Sequence, residues 1–160
     1  MAHELIERLG LAPLPAEGGW FRQTWRSPDE VGGRPVGTAI VALFDNSPLG
    51  FSALHRLATA EVWHFYRGDP FELLLLERGG SSSTVLLGAE LEAGEVVQAT
   101  VDAGVWMGGR PAGAGTWSLV GCTMAPGFVD GDFELGDRET LMRRYPSRAE
   151  DIAALTRGVD

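Results

Sequence analysis

The sequence predicts an all-β fold, a sandwich or barrel, with short helices only near its two ends. From residue 20 to residue 124 the chain consists of short segments rich in β-branched and aromatic residues, each bounded by turn residues. Glycine occupies 22 of the 160 positions, as is typical of a chain with many tight reversals. No long amphipathic helix separates the segments, which disfavours alternating α and β units.

The individual strands follow from alternation or from apolar runs that end at turns. Trp20–Arg26 alternates, which places Phe21, Gln23 and Trp25 on one face. Residues 38–44 form an apolar run typical of a strand buried on both faces. The other predicted strands cover residues 51–57, 61–67, 71–77, 84–87, 96–101, 105–109 and 116–124.

Helices are predicted at both ends of the chain. Residues 4–9 have helical apolar spacing and Gly10 can end that helix. Residues 137–144 are also helical in pattern, and Ser147 with Glu150 predicts a capped last helix that ends near Gly158. Since no linker or repeat interrupts the pattern, residues 1–160 are expected to form a single domain, a size that buries about two-thirds of the unfolded surface.

Charge and hydropathy exclude several functions. Thirteen basic and 22 acidic residues give a net charge of −9, the wrong sign for a nucleic-acid partner. No apolar stretch approaches the roughly 20 residues of a membrane helix, and the amino terminus lacks a signal-peptide pattern. We therefore expect a cytoplasmic protein with no membrane or nucleic-acid partner. Cys122, the only cysteine, lies in an apolar run and is predicted to be a buried core residue.

The candidate site lies between residues 55 and 68. His55, Glu61 and His64 stand there among apolar and aromatic residues, where polar groups are costly unless paired, hydrogen-bonded or metal-bound. A histidine beside a carboxylate can act as an acid–base pair near neutral pH. Strand alternation places His64 on the face opposite Glu61, so only a bulge or different strand ends would bring it into the same site.

The spacing of these residues resembles the first motif of the cupin superfamily: Gly, five residues, His-x-His, three or four residues, Glu, six residues, Gly. His55 and the Glu61-to-Gly68 spacing fit, whereas Leu57 replaces the second histidine. The segment 102–107 resembles the second motif, with its turn glycine retained and Met107 in place of a histidine.

Further segments resemble one branch of that superfamily, the DUF985 or cupin-5 family of unknown function. They are Ala16-Glu17-Gly18-Gly19-Trp20-Phe21-Arg22, Glu61-Val62-Trp63-His64-Phe65-Tyr66 with Gly68-Asp69, Ala103-Gly104-Val105-Trp106, Leu119-Val120-Gly121-Cys122-Thr123 and Ala125-Pro126-Gly127-Phe128. The resemblance spans about residues 5 to 146. It implies a double-stranded β-helix, the cupin or jelly-roll barrel, and a homodimer.

The resemblance also guides the functional hypotheses. A small polar ligand, such as a sugar or nucleotide-sugar, is expected in the barrel mouth. Analogy with metal-independent sugar-nucleotide epimerases implies an isomerase with His55, Glu61 and His64 as catalytic residues. Arg22, Trp106 and Met107 are expected to contact the ligand. A non-catalytic ligand-binding or sensory module and a metal-dependent oxygenase remain alternatives.

Metal binding and assembly are the last two expectations. A mononuclear site needs three or four ligands, of which His55 and Glu61 supply two and His64 is the only plausible third. We therefore predict no metal cofactor beyond a weakly or adventitiously bound divalent ion. The aromatic residues on both faces of Trp20–Arg26 predict that this strand packs against a second subunit in a homodimer.

Overall fold

The computed structural model describes residues 2–157 and shows two main antiparallel β-sheets and one short hairpin. The first sheet has six strands, in spatial order β1 (Ala12–Pro13), β2 (Trp20–Arg26), β5 (Thr38–Asp45), β12 (Trp117–Met124), β7 (Glu61–Gly68) and β10 (Gln98–Val101). The second has five, in the order β13 (Glu134–Leu135), β6 (Ser52–Arg56), β11 (Trp106–Pro111), β8 (Phe71–Leu76) and β9 (Ser82–Leu87). The hairpin pairs β3 (Glu30–Val31) with β4 (Arg34–Pro35).

The path of the chain between the two sheets defines the fold. From β5 onwards the chain passes from one sheet to the other at almost every connection, and only β8 and β9 follow each other within one sheet. Such a path winds two sheets around a shared interior, as in a jelly roll. The predicted double-stranded β-helix is confirmed, and the predicted strands agree with the observed ones to within a few residues.

Part of the interior is filled by an aromatic cluster. The rings of Trp63 and Phe71 stack with their centroids 5.5 Å apart, and Phe44 lies 5.3 Å from Phe71. All three side chains are almost completely buried. Aromatic side chains bury about 150–250 Å² each, so this cluster closes its part of the barrel to any ligand.

The short helices cover the outer faces of the sheets. Helix α1 (Ala2–Leu9) packs Leu5, Ile6 and Leu9 against the six-stranded sheet. Helix α2 (Arg138–Arg144) begins after Asp137, whose Oδ1 accepts a hydrogen bond from the Thr140 N–H at 2.9 Å.

The predicted capping of the last helix is wrong. Ser147 lies in a 3-10 turn (Pro146–Arg148), and α3 (Ala149–Ala154) starts after it without a side-chain cap. The predicted end near Gly158 falls outside the described residues. Within residues 2–157, no helix is both long and apolar enough to cross a membrane.

A bulge in β2 changes which of its side chains face the interior. Gln23 pairs with Ile40, but Trp25 pairs with Ala39, so the register shifts by one residue between them. A bulge of this kind reverses the alternation of side chains along a strand. Arg26, rather than Trp25, therefore faces inward with Gln23, and Trp25 is 51% exposed. The strict alternation predicted for this strand is wrong.

Candidate functional site

A cavity of about 730 Å³ opens between the two sheets. Its size lies within the range of small-molecule pockets. Strands β2, β5, β7 and β12 of one sheet and β6 of the other contribute to it, together with the segment before β2 and the segment around residues 128–133. His55 and Glu61, from opposite sheets, both line it. Both side chains therefore face one interior pocket, while their catalytic roles stay a prediction.

His55 presents one ring nitrogen to the cavity. Its Nδ1 lies 2.7 Å from the carbonyl oxygen of Ala53. A carbonyl oxygen only accepts hydrogen bonds, so Nδ1 carries the proton and a neutral ring keeps its lone pair on Nε2. The ring is 2% exposed and stacks on Phe133 at a centroid distance of 5.2 Å. These contacts fix the orientation of the ring and leave Nε2 as its reactive atom.

The carboxylate of Glu17 faces Nε2 of His55. Its Oε2 lies 3.9 Å from His55 Nε2, and its Oε1 accepts a 2.6 Å hydrogen bond from the hydroxyl of Ser52. A carboxylate at this distance stabilises a protonated imidazole. Glu17 was not among the residues predicted for the site. The signal that could have found it is a carboxylate directly before two glycines within a motif shared with a family.

Arg157, at the carboxyl end of the described residues, holds the segment that carries Glu17 in place. The guanidinium of Arg157 donates hydrogen bonds to the carbonyl oxygens of Ala16, Glu17 and Pro48 at 3.2, 2.8 and 3.1 Å. Gly18 has a φ of +108°, and a Cβ atom there would collide with Arg157. Glycine at this position therefore allows the backbone both to turn and to approach the guanidinium.

Glu61 carries a buried carboxyl group on the wall of the cavity. It is 7% exposed, and its Oε2 makes no hydrogen bond within residues 2–157. Burial, and next the negative charge of Glu17, raise the pKa of Glu61 from 4.5 to about 8. At neutral pH the side chain is therefore mostly a protonated carboxylic acid, which can donate a hydrogen bond.

His64 does not belong to this group. It projects from the other face of β7, where Gln98 donates a hydrogen bond to its Nδ1 at 3.0 Å and its Nε2 lies 2.9 Å from the hydroxyl of Thr123. No bulge interrupts the pairing of β7 with β10 between Glu61 and His64, so the strand keeps its alternation. The predicted catalytic grouping of His64 with His55 and Glu61 is corrected.

The three predicted ligand-binding residues also lie outside the cavity. Arg22 is exposed and alternates with Phe21 and Gln23, which do line it. Trp106 is buried in an apolar cluster with helices α2 and α3 and lies under the guanidinium of Arg56 at 4.6 Å. Met107 is 1% exposed within the core between the sheets. Their expected position at the ligand is corrected.

Other residues take their place around the cavity. Cys122 is buried as predicted, but it also lines the cavity. Gln23, Arg26 and Asp130 line it with exposed side chains, so they form its polar rim. Gln23 and Arg26 both lie on that rim because of the bulge in β2. No sequence pattern predicts this bulge.

A double-stranded β-helix whose interior cavity holds a histidine and two carboxyl groups defines a cupin-fold protein with a small-molecule pocket. The model of one family matches residues 3–136, and its description is Cupin superfamily (DUF985). The chain belongs to this family.

Solved structures agree with this assignment. A hypothetical protein from Leishmania major is 33% identical, with 99% of each chain covered and a TM-score of 0.89. A protein from Shewanella oneidensis is also 33% identical, with 99% of this chain and 98% of that one covered and a TM-score of 0.91. A cupin 2 conserved barrel domain protein from Rhodopseudomonas palustris is 18% identical over 93% and 92% of the chains, with a TM-score of 0.59, and shares the fold alone. No curated protein matches the chain.

The residues present do not fit the metal centre expected from the superfamily motifs. Leu57 and Met107 occupy two of the four ligand positions. An aliphatic side chain offers no donor atom, and a thioether is a soft, weak ligand. No group of three His, Cys, Asp or Glu side chains within residues 2–157 is arranged to hold a metal ion. His55 instead contacts the carboxylate of Glu17. That the protein holds no metal tightly stays a prediction.

Proposed function

We propose that the protein binds a small carbonyl compound in the cavity and isomerises or epimerises it with His55 and Glu61 as an acid–base pair. The observation that supports this most is the pairing of two complementary groups in one cavity. His55 offers an acceptor nitrogen, and Glu61 offers a carboxyl group that is largely protonated at neutral pH.

The proposed step is an enolisation. His55 Nε2 removes a proton from the carbon next to the carbonyl group of the ligand, and the electrons of that C–H bond form a C=C bond. The carbonyl oxygen takes the proton of Glu61, which leaves an enol, a Glu61 carboxylate and a His55 imidazolium. Epimerisation follows when the bound enol turns its other face to His55, the imidazolium returns its proton to the same carbon, and the enol hydroxyl gives its proton back to the Glu61 carboxylate. Where the neighbouring carbon carries a hydroxyl, the imidazolium can instead give its proton to the former carbonyl carbon, and that hydroxyl gives its proton to Glu61, which yields the isomer. Both routes restore His55 and Glu61.

The surroundings of both residues suit these roles. The carboxylate of Glu17, 3.9 Å from Nε2, stabilises the imidazolium that forms on His55. A carboxyl pKa of about 8 lies close to the pH of the cell, where general acids work best. Each such group contributes about 10²- to 10⁴-fold to a rate.

The class of the ligand and the alternative function both concern this same cavity. A sugar or nucleotide-sugar is the expectation that the family resemblance gives. A non-catalytic ligand-binding or sensory module would use the same pocket and the same hydrogen bonds, but would leave the C–H bonds of its ligand unchanged.

Hydrogen exchange separates an enzyme from a binding module. The protein is incubated in heavy water with a panel of ketoses, nucleotide-sugars and simple ketones, and deuterium at the carbon next to the carbonyl group is followed by NMR. We expect His55→Gln and Glu61→Gln each to lower the exchange rate by about 10²- to 10⁴-fold.

His64→Gln is the matched control, because it changes the same residue type on the other face of β7. Exchange at the buffer rate for every compound that binds would reject catalysis in favour of the module. An equal loss in His64→Gln would reject the assignment of the site.

A further inference from the structure

The wall of the cavity is largely apolar. Phe21, Ile40, Leu57, Met124, Phe128 and Phe133 all face it. The three phenylalanines and Ile40 are only partly buried, so apolar surface stays open towards the interior. Apolar surface gains most from contact with another apolar surface, because that contact removes both from water.

The buried polar groups of the cavity are few and largely occupied. One lone pair of His55 and one oxygen of Glu17 remain for a ligand, since Ala53 holds His55 Nδ1 and Ser52 holds Glu17 Oε1. The carboxyl group of Glu61 is the third polar group of the wall. The hydroxyl of Thr38, also buried in the wall, already accepts a hydrogen bond from the Phe128 N–H at 2.9 Å. The remaining polar side chains, those of Gln23, Arg26 and Asp130, lie at the exposed rim.

This distribution suits one carbonyl group better than a ring of hydroxyls. Aromatic rings can cover the C–H face of a sugar, but hydroxyls along its edge each need a partner. Each hydroxyl buried against the apolar part of the wall without a partner costs about tenfold or more in affinity. A ligand with one polar head and an apolar body leaves no such group unpaired.

We propose that the ligand is a carbonyl compound with an aryl or alkyl body, and not a polyhydroxylated sugar. Its carbonyl oxygen accepts a hydrogen bond from Glu61, and its body packs against Phe21, Ile40 and Met124. This rests on the proposed function in that it places the carbonyl group at the same acid–base pair. It replaces the sugar that the family resemblance led us to expect.

Two ketones with the same head and different bodies test this choice. Benzylacetone carries a methyl ketone on an aryl-ethyl body, and 1-deoxyfructose in its open-chain form carries a methyl ketone on a polyol body. Binding is followed through the labelled methyl groups of the methionines. Met124 lines the cavity. Met142, a residue of helix α2, packs against the apolar cluster around Trp106 and serves as the internal reference.

We expect benzylacetone to shift the Met124 signal saturably at millimolar concentration or below, while Met142 stays unchanged and 1-deoxyfructose has no effect. Ile40→Thr puts a hydroxyl into the wall and should weaken benzylacetone about three- to tenfold. Val41→Thr, on the opposite face of the same strand under α1, should leave the affinity unchanged.

Three results would overturn the proposal: tighter binding of 1-deoxyfructose, no saturable binding of benzylacetone, or an equal affinity in Ile40→Thr and the wild type. The proposed reaction fails separately. If benzylacetone binds as expected but exchanges no deuterium above the buffer rate, the ligand class stands and the isomerase does not. If 1-deoxyfructose binds more tightly and exchanges deuterium, the isomerase stands and the ligand class does not.

Discussion

Replacing Glu61 by glutamine should change how the stability of the protein depends on pH. Glutamine has nearly the same shape and stays neutral, whereas the pKa of Glu61 is raised by burial to about 8. Between pH 4.5 and pH 8 the folded wild type keeps a proton on Glu61 that the unfolded chain releases. Since the folded state then binds more protons, its free energy of unfolding falls as the pH rises through this window.

The size of the effect follows from the two pKa values. At about 1.36 kcal/mol per pKa unit, the rise from 4.5 to about 8 corresponds to about 5 kcal/mol. Stability from this group is fully present below pH 4.5 and is lost by about pH 8. Glutamine does not titrate, so this pH-dependent contribution is absent in Glu61→Gln. Between pH 4.5 and pH 8 the free energy of unfolding of the variant should therefore rise by about 5 kcal/mol relative to that of the wild type. Any pH-independent effect of the amide adds to this difference without changing it.

Urea denaturation at a series of pH values between about 5 and 8 measures this difference directly. Taking the difference between variant and wild type cancels the titrating groups that do not interact with Glu61. Glu92→Gln is the control, because Glu92 is exposed and its variant should run parallel to the wild type. Parallel curves for Glu61→Gln as well would show that Glu61 is ionised in the folded protein and would refute its role as an acid.

Four further predictions concern the groups around the site and the assembly. Glu17→Gln removes the charge that helps to raise the pKa of Glu61, so a carbon-13 NMR titration should find that pKa lowered, and an unchanged value would place Glu17 elsewhere. Arg157→Ala frees the backbone of Ala16 and Glu17. This change should lower the pKa of Glu61 and cost about 1–3 kcal/mol of stability. The exposed control Arg143→Ala should do neither. Elemental analysis after dialysis against a mild chelator should find well under one metal ion per chain, and a stoichiometric ion lost in His55→Ala would contradict the donor count. Trp25→Glu should shift the expected homodimer towards monomer in light scattering. The reason is that Trp25 is 51% exposed, on a strand whose pairing with β1 covers only Trp20 and Phe21. A wild type that is monomeric at micromolar concentration would contradict the expected dimer.

The fold could be predicted from the sequence because its signals are local and repeated. Apolar runs such as that of β5 end at turn residues, and the observed strand bounds follow those turns. The bulge in β2 could not be predicted in the same way. Nothing in Trp20–Arg26 marks the one-residue shift, which arises from pairing with β5 across the sheet.

Only part of the site could be predicted from the sequence, and the reason is physical. Alternation placed Glu61 inside and His64 outside, and the structure agrees with that parity. Glu17 lies 38 residues before His55 and reaches it only through the packing of its segment against Ser52 and Arg157. Contacts between distant segments leave no spacing pattern in a single sequence. Trp106 misled us because helices α2 and α3 cover the face of the sheet from which it projects.

The most direct test of the proposed site is a crystal structure of the protein soaked with benzylacetone. We expect the ketone inside the cavity, with its carbonyl oxygen about 3 Å from the carboxyl group of Glu61 and its neighbouring carbon facing Nε2 of His55. Its phenyl ring should contact Ile40 and Met124. Density for the ketone outside the cavity, or inside it with the carbonyl group turned to the rim at Gln23 and Arg26, would contradict the proposed site.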